Sequence, residues 1–598
     1  MGMEMESYSS NTTGAMDEKE KLSTTRRKGG LVTMPFIIAN EAFEKVASYG
    51  VLPNMIFYLM KGYNLSFAKA NYVLFLWSAA TNFTPTLGAF LADSYLGRFL
   101  TISLGCIFSV LGMTVLWLTA MIPGAKPQSC NLIPPCKSAT AGQLGLLISS
   151  FGLMSIGAGG IRSASMAFGA DQLDNKDNPD NERVQESYFG WYYAATSISV
   201  LVAFTGIVYI QDKMGMKVGF GVPAILMFLS ALLFFLASSF YIKHKATKSL
   251  LTGLVQVTVA AYKNRKLALA PLDSSSYHHR KGSRNTGPTE KLMFLNKACV
   301  LRNPEDVTPS GVALDPWSLC TVEQVEELKA LIRVIPIWST GIMMSINTSQ
   351  SSFPVLQASS MNRHVTSNFQ IPAGSFVMFM MITISGWLVL YDRAILPLAS
   401  KIRGKPVRIG TKARMGIGLF FTGLSMVISG VVESVRRRKA VEQGFLNDPQ
   451  ALVDMSAMWL VPQYVAGGFA EAFNAIGQIE FYYSEFPRTM SSVASSLFGL
   501  GMAVANVLAS AVLSTVDRYT KGEGKESWVS SNINKGRYEN YYWLLSILSC
   551  VNLICFIFCS WAYGPCADDV KKEDDIEGNE LEEISQLRPR TPLRVMPA

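Results

Sequence analysis

The sequence is poor in charged residues. Only 16% of its 598 residues are Asp, Glu, Lys or Arg, whereas 49% are hydrophobic, and the mean hydropathy is +0.24. Soluble domains carry about 25% charged residues, so this composition argues against a chain of soluble domains. Lys and Arg between the apolar segments account for the net charge of +9, and we expect no nucleic-acid partner.

The sequence also lacks the residues of most active sites and metal sites. It has four histidines, all in loops or at loop edges, and nine cysteines without metal-ligand spacing. No nucleophile lies beside a base within the apolar segments. We therefore predict that the protein is not an enzyme, has no catalytic residues and binds no metal or other cofactor. Cys130 and Cys136 lie in one loop and could pair if that loop is extracellular; the sequence leaves open whether they form a disulfide.

Long apolar runs make up most of the chain. A helix needs about 20 apolar residues to cross a hydrocarbon core of ~30 Å, and lipid offers no partner to backbone N–H and C=O groups. The lipid bilayer is therefore an expected partner, and helices are the expected spans. Apolar windows predict twelve of them: 31–60, 67–92, 98–121, 141–169, 187–210, 218–242, 323–350, 373–399, 411–432, 456–483, 491–516 and 540–563.

The spans fall into two groups of six. They occupy 31–242 and 323–563 and flank a central segment, 243–322. This layout predicts an all-α membrane protein, a transporter made of two six-helix halves. The ends, 1–30 and 564–598, are polar, the second of them acidic. We expect disordered tails and no cleaved signal peptide.

The Lys and Arg residues near the span ends predict the orientation. They concentrate before span 1, in the central segment and between spans 8 and 9. This places both termini and the central segment in the cytosol, in a multi-pass protein that we expect in the plasma membrane. The run RRRK at 436–439 disagrees, since it would face outward.

The central segment contains a predicted amphipathic helix within 249–270. We expect it to lie along the inner membrane surface. Its predicted apolar face consists of Leu251, Leu254, Val255 and Tyr262.

The two halves share a short motif. Span 2 ends in GAFLADSYLGR, with Asp93 before Arg98, and span 8 ends in GWLVLYDR, with Asp392 beside Arg393. An Asp and an Arg at matching ends indicate a duplicated six-helix unit and a role in structure or gating. The alternative is that any cytosolic helix end favours charged residues.

Span 1 carries three charges at its centre, in the stretch NEAFEKVASYG. Glu41 lies ten residues past Leu31, which is about 15 Å at 1.5 Å per residue and half of the hydrocarbon thickness. Glu41, Glu44 and Lys45 stand at i, i+3 and i+4, so they share one helix face, which Tyr49 continues. Charges inside a membrane are costly and mark ion pathways. We predict a proton-coupling site; the alternative is an ion pair that only joins helices.

Two more charges lie inside apolar spans. Arg162 stands in the small-residue stretch SIGAGGIRSASMAFG of span 4, and Glu471 stands about thirteen residues into span 10. An Arg in one half that faces a Glu in the other would pair and separate as the halves move. We predict that Arg162, Glu471 and Tyr49 bind substrate; the alternative is again helix packing. Trp338 and Trp191 are further aromatic candidates to face a larger molecule.

Several stretches resemble the plant nitrate and peptide transporter family, among the proton-coupled oligopeptide transporters of the major facilitator superfamily. They are NEAFEKVASYG, GAFLADSYLGRFLT, GAGGIRSASMAFGADQ, DPWSLCTVEQVEELKALIRVIPIW and EAFNAIGQIEFYYSEFP, in the expected order over nearly all of 30–565. The resemblance implies the twelve-helix alternating-access fold, proton symport and a plant source. It assigns Glu41, Glu44 and Lys45 to the proton-coupling motif, Arg162 to the helix-4 base and Glu471 to the helix-10 acid.

The sequence departs from the family pattern at some positions. Lys45 stands where many relatives have Arg, and an ammonium is a more compact charge than a guanidinium. Some nitrate-carrying members have a His on helix 7, where this chain reads SINTSQ, 345–350. Thr101 fits a family phosphorylation pattern, which makes a regulatory kinase an expected partner.

The expected function is therefore proton-coupled symport by alternating access, driven by the proton gradient. The expected substrate is nitrate. One alternative is a larger organic metabolite, such as gibberellin, abscisic acid, a glucosinolate or a di- or tripeptide. An alternative of another class is a membrane substrate sensor.

Overall fold

The structure is a computed structural model, and it describes residues 29–128, 138–174, 181–244, 250–267, 276–280, 287–308, 311–404, 409–487, 490–522 and 526–566. Cys130, Cys136 and most of both predicted tails lie outside the described residues.

The described chain is almost entirely helical. The first half contains α1 (Met34–Phe57), α2 (Phe67–Leu91), α3 (Arg98–Met121), α4 (Ala141–Leu173), α5 (Asn181–Val202) and α6 (Val208–Leu236). The central segment contains α7 (Leu250–Lys263) and α8 (Met293–Asn296). The second half contains α9 (Val322–Ser349), α10 (Ser352–Ser359), α11 (Met378–Leu390), α12 (Leu396–Arg403), α13 (Thr411–Glu442), α14 (Val461–Glu485), α15 (Ser491–Thr520) and α16 (Tyr538–Tyr563). Of four short strands, β1 (Met361–Asn362) pairs in parallel with β4 (Val453–Ser456), and β2 (His364–Thr366) pairs antiparallel with β3 (Phe369–Gln370).

All twelve predicted spans are helical, although their ends differ from the prediction. The fifth span is one continuous helix from α5 into the start of α6. The helix is interrupted at Gly215, between spans 5 and 6, where a φ of 79° favours glycine. By length and hydropathy, eight helical runs in the described ranges could cross a membrane, one of which contains spans 5 and 6. α1, α2 and α14 are not among them, because polar and charged residues lower their hydropathy.

The two halves use the same helix pairs. α3 packs on α4 and on α6 in the first half, and α13 packs on α14 and on α16 in the second. Likewise α2 packs on α4, as α11 packs on α14. This is the arrangement expected if one half duplicates the other.

The repeat extends to individual residues. Asp93 and Asp392 both lie in the second position of a five-residue π-helical turn, which follows α2 in one half and α11 in the other. Nine residues before each Asp stands a threonine, Thr84 or Thr383. A Cβ at Gly159 of α4 would lie 2.6 Å from Thr84 Cβ, and the distance from Gly468 of α14 to Thr383 is 2.7 Å. Such a close approach of two helices requires glycine at both places.

The arginines repeat differently from the prediction. Arg98, the first residue of α3, lies 3.8 Å from Asp93 and donates to Asp171 at the end of α4 (Nη1 to Oδ2, 2.6 Å). Asp392 and Arg393 are exposed, and among the described residues neither forms an ion pair. Arg393 is therefore not the counterpart of Arg98.

The counterpart of Arg98 lies in the first turn of α13. Arg414 forms an ion pair with Glu480 near the end of α14. Each half thus joins the start of its third span to the end of its fourth through one Arg and one acid. The pattern was hidden in the sequence because Arg414 is far from the Asp392 motif.

The central helix is present, and one side of it packs against the protein. Leu254, Val257 and Ala261 are buried where α7 packs against α8 and α9, whereas Val255 and Tyr262 are exposed. Leu254 of the predicted apolar face thus packs on the protein, and the position of that face along the membrane surface stays a prediction.

The RRRK run that contradicts the orientation rule lies inside α13. Arg436 and Glu433 are both fully buried and form two hydrogen bonds of 2.8 Å. Arg436 Nη2 also donates to Ile533 O at 3.1 Å, and Arg437 Nε donates to Gly536 O at 2.8 Å. The orientation rule concerns loop charges near the membrane surface, so arginines that bind buried protein groups are a physical exception to it.

An aromatic cluster joins the halves at the end of the bundle where α1 connects to α2, here called the α1–α2 end. Phe67 packs against Phe353 and Tyr538 with ring centroids 4.9 and 5.4 Å apart, and Phe353 stacks on Tyr541 at 4.9 Å. All four side chains are fully buried. The Phe67 amide also donates to Ser531 Oγ at 3.0 Å. The halves are therefore in tight contact at this end.

Candidate functional site

The centre of α1 holds a buried cluster of charges. Glu41 and Glu44 are buried, and Lys45 Nζ lies 3.3 Å from Glu41 Oε1 and 3.9 Å from Glu44 Oε2. The i, i+4 spacing stacks Glu41 and Lys45 along the helix. Because the cluster is removed from water, each charge depends on its neighbours for stabilisation.

α4 adds a second cation to this cluster. Arg162 donates to Glu44 Oε1 from Nη2 at 3.0 Å and from Nε at 3.2 Å, and Ser48 Oγ donates to the same oxygen at 2.7 Å. Glu44 Oε2 and Glu41 Oε2 are buried and have no hydrogen-bond partner among the described residues. Two carboxylates thus face two cations, so the four groups carry no net charge when all are ionised.

Tyr49 forms one wall of the cluster. Its ring centroid lies 5.6 Å from Lys45 Nζ and 5.3 Å from Arg162 Cζ. A cation within about 6 Å of an aromatic face is attracted to it. Tyr49 and Arg162 both line the cavity between the halves, whereas the two carboxylates lie behind them.

Arg162 and Glu471 occupy equivalent positions in the two halves. Arg162 stands three residues after Gly159, at which α4 closely approaches α2, and Glu471 stands three residues after Gly468, at which α14 closely approaches α11. Both side chains line one cavity of about 430 Å³. Glu471 Oε2 is buried and has no hydrogen-bond partner in the described part of the chain.

The expected pair across the cavity is not formed in this conformation. Arg162 is bound to Glu44 of its own half, and within the described ranges no ion pair joins it to Glu471. The sequence reasoning placed both charges in the cavity but did not foresee that Arg162 would bind the α1 motif.

Thr101 lies in the first turn of α3 and is buried. Its hydroxyl donates to Gly97 O at 3.0 Å. A kinase would therefore need a conformation in which the start of α3 is exposed. Its phosphorylation stays a prediction.

Two of the aromatic candidates lie away from the cavity. Trp338 packs on α15, where its Nε1 donates to Leu497 O at 2.9 Å, and Trp191 is 70% exposed on α5. Neither is among the residues that line the cavity. Indole rings are common at lipid-facing and helix-packing positions, so their presence in a span did not identify a substrate contact.

Several cavity residues were missed by the sequence reasoning. They are uncharged polar residues within apolar spans: Asn82, Asn347, Gln463, Tyr464 and Asn506. Their signal was the same as for the charges, a polar group at membrane depth, but weaker because each costs less to bury.

Comparisons with known proteins agree with this architecture. The POT family model matches residues 99–529. The protein NRT1/PTR FAMILY 1.2 of Arabidopsis thaliana is 62% identical over 555 residues, 91% of each chain, and NRT1/PTR FAMILY 1.1 of the same plant is 58% identical over 577 residues, 95% of this chain and 97% of that one. The crystal structure of an auto-inhibited POT family peptide transporter superimposes with a TM-score of 0.65 at 20% identity and covers 89% of this chain and 97% of that one. The chain therefore belongs to the POT family of membrane transporters, together with the plant NRT1/PTR proteins.

Proposed function

We propose that the protein is a proton-coupled symporter of the plasma membrane that works by alternating access and carries nitrate. The observation that carries this proposal is that Glu44 holds Arg162. An anion in the cavity must compete with the Glu44 carboxylate for the guanidinium. A proton on Glu44 removes the competing charge and leaves Arg162 able to bind the anion.

Proton and anion would therefore favour each other's binding, and this coupling is reciprocal by thermodynamic necessity. Lys45 and Glu41 extend the same network, so a proton that enters at Glu41 changes the charge balance around Lys45 and Glu44. With the predicted cytosolic termini, the closed α1–α2 end faces outside. The described conformation would then be one from which substrate leaves toward the cytosol.

A larger organic anion is the second candidate substrate. Its support is the cavity, whose volume of about 430 Å³ lies in the range of about 300–1,000 Å³ that is typical of sites for drug-sized ligands. Nitrate is far smaller and would leave most of this space to water.

Uptake into expressing cells tests both candidates. We expect faster uptake of the true substrate at acid than at neutral outside pH, in a panel of nitrate, dipeptides, gibberellin, abscisic acid and glucosinolates. Glu41→Gln and Glu44→Gln should abolish proton-driven uptake at normal surface expression. Glu442→Gln, at an exposed acid near the end of α13, is the matched control and should behave as wild type. Normal pH-dependent uptake by both Glu41→Gln and Glu44→Gln would contradict the coupling role.

A further inference from the structure

The wall of the cavity opposite Arg162 contains buried polar groups for which the described residues provide no hydrogen-bond partner. Gln463, the third residue of α14, is 3% exposed, and neither its Nε2 nor its Oε1 has a hydrogen-bond partner among the described residues. The neighbouring Tyr464 is 8% exposed, and its hydroxyl is also unpartnered in the described chain. Both residues line the cavity.

Unpaired polar groups in a protein interior are rare, because burial without a hydrogen bond is costly. Neighbouring polar residues of the second half do satisfy at least one of their groups. Asn347 Nδ2 donates to Ser549 Oγ at 2.8 Å, and Ser425 Oγ donates to Gln463 O at 3.0 Å. The second contact fixes the backbone of Gln463 on α13 but involves only its carbonyl oxygen and not its side chain. A structural role therefore does not explain the Gln463 amide.

We propose that Gln463 and Tyr464 form a second subsite, which binds an uncharged polar group of an organic substrate whose anionic group binds Arg162. This inference rests on the proposed use of the cavity for substrate, and it supports the second candidate substrate, a larger organic anion, over nitrate.

The chemistry of the two side chains defines what this group is. An amide offers both a donor and an acceptor, and a phenol hydroxyl does the same. Because Gln463 Oε1 needs a donor, its ligand must carry an O–H or N–H group, as a hydroxyl or a carboxamide does. Nitrate has acceptors only and cannot pair with that oxygen. The subsite therefore favours a hydroxylated or amidated organic acid.

Gln463 lies far along α14 from Glu471, the residue of the second half that is equivalent in position to Arg162. Gln463 precedes Glu471 by eight residues on α14, about 12 Å along the helix axis at 1.5 Å per residue. It lies toward the α1–α2 end of the cavity, on the half opposite Arg162. A ligand that reaches both subsites must therefore be long, in agreement with the cavity volume of about 430 Å³.

Binding to the purified full-length protein tests this without a proton gradient. The probes are straight-chain carboxylates of increasing length that end in a methyl, a hydroxyl or a carboxamide group, and ligand-induced thermal stabilisation measures their affinity. We expect, at one chain length, hydroxyl and carboxamide probes to bind about tenfold tighter than the methyl probe, the worth of about one net hydrogen bond. Gln463→Leu and Tyr464→Phe should each reduce this advantage.

A structural role and a binding role of Gln463 predict opposite changes in the melting temperature when this residue is replaced. If the Gln463 amide has no partner in the ligand-free protein, Gln463→Leu should keep or raise the melting temperature, and it should weaken the binding of the polar probes. Met502→Leu, at an apolar position in the same cavity, should leave the preference for polar probes unchanged. Tyr464→Phe provides a second test if Gln463→Leu does not fold.

The proposal fails if no chain length shows a preference for the polar ends in wild type, or if that preference persists in Gln463→Leu and Tyr464→Phe. Failure of the proposed symport would look different: the probes would bind with the expected preference, but no proton gradient would drive their uptake.

Discussion

Replacement of Arg162 by Ala is expected to weaken the binding of anionic substrates, and the size of this effect should depend on pH. Arg162 donates two hydrogen bonds to one Glu44 oxygen, at 3.0 and 3.2 Å. Hydrogen bonds to charged groups contribute about 1.5–3 kcal/mol each. When Glu44 is ionised, an anion only replaces these bonds, so the net gain is small. When Glu44 is protonated, the anion gains at least one of them.

We therefore expect Arg162→Ala to raise the apparent Kd for an anionic substrate at acid pH by about 10- to 100-fold, or about 1.4–2.8 kcal/mol. The loss should be smaller at neutral pH. Saturation of uptake at both outside pH values measures the effect, with surface expression as the control. Arg162→Lys should be intermediate, because it keeps the charge but loses the planar donor pair. Unchanged affinity in Arg162→Ala at acid pH would refute the assignment of Arg162 to the binding site.

Other predictions concern the structure around the site. Arg436→Met should lower the free energy of unfolding by about 3–5 kcal/mol, because Glu433 is then buried without its partner. The double variant Glu433→Met/Arg436→Met should lose less stability, because neither charge remains. Equal losses of stability in thermal unfolding of the two purified variants would contradict the importance of the pair. Gly159→Leu should prevent normal folding and uptake, because its Cβ would lie 2.6 Å from Thr84 Cβ. Uptake at the wild-type rate would show that the two helices can move apart at this contact. Burial raises the pKa of the Cys299 and Cys320 thiols to about 12, so a water-soluble maleimide at neutral pH should label them after denaturation but not before. Mass spectrometry of the labelled peptides measures the extent of labelling. Rapid labelling of the native protein would show that the central segment is open to solvent.

The number of spans and the charge cluster could be predicted from sequence because both follow from the high cost of polar groups in lipid. Apolar windows located all twelve spans, and helical spacing placed Glu41, Glu44 and Lys45 on one face. Both arguments use only neighbours along one helix. The sequence was therefore sufficient wherever a single helix determines the answer.

Contacts between distant segments were beyond this reasoning. The binding of Arg162 to Glu44, and the pairing of Arg414 with Glu480, depend on which helices touch and at what height. Likewise, periodicity identified an apolar stripe on α7 but not Val257 and Ala261, which are buried where this helix packs on the protein. The cavity residue Gln463 was missed because a single uncharged amide in an apolar span does not by itself indicate a function; its burial and lack of partners among the described residues become visible only in the structure.

Proton movement by the purified protein tests the central claim most directly. Proteoliposomes that contain the wild-type protein and an internal pH indicator should acidify inside when the transported anion is added outside, because each anion enters with protons. Glu44→Gln should bind the anion and exchange labelled for unlabelled substrate, but should not acidify the vesicles. Acidification by Glu44→Gln at the wild-type rate, or anion entry into wild-type vesicles without acidification, would contradict proton coupling at this site.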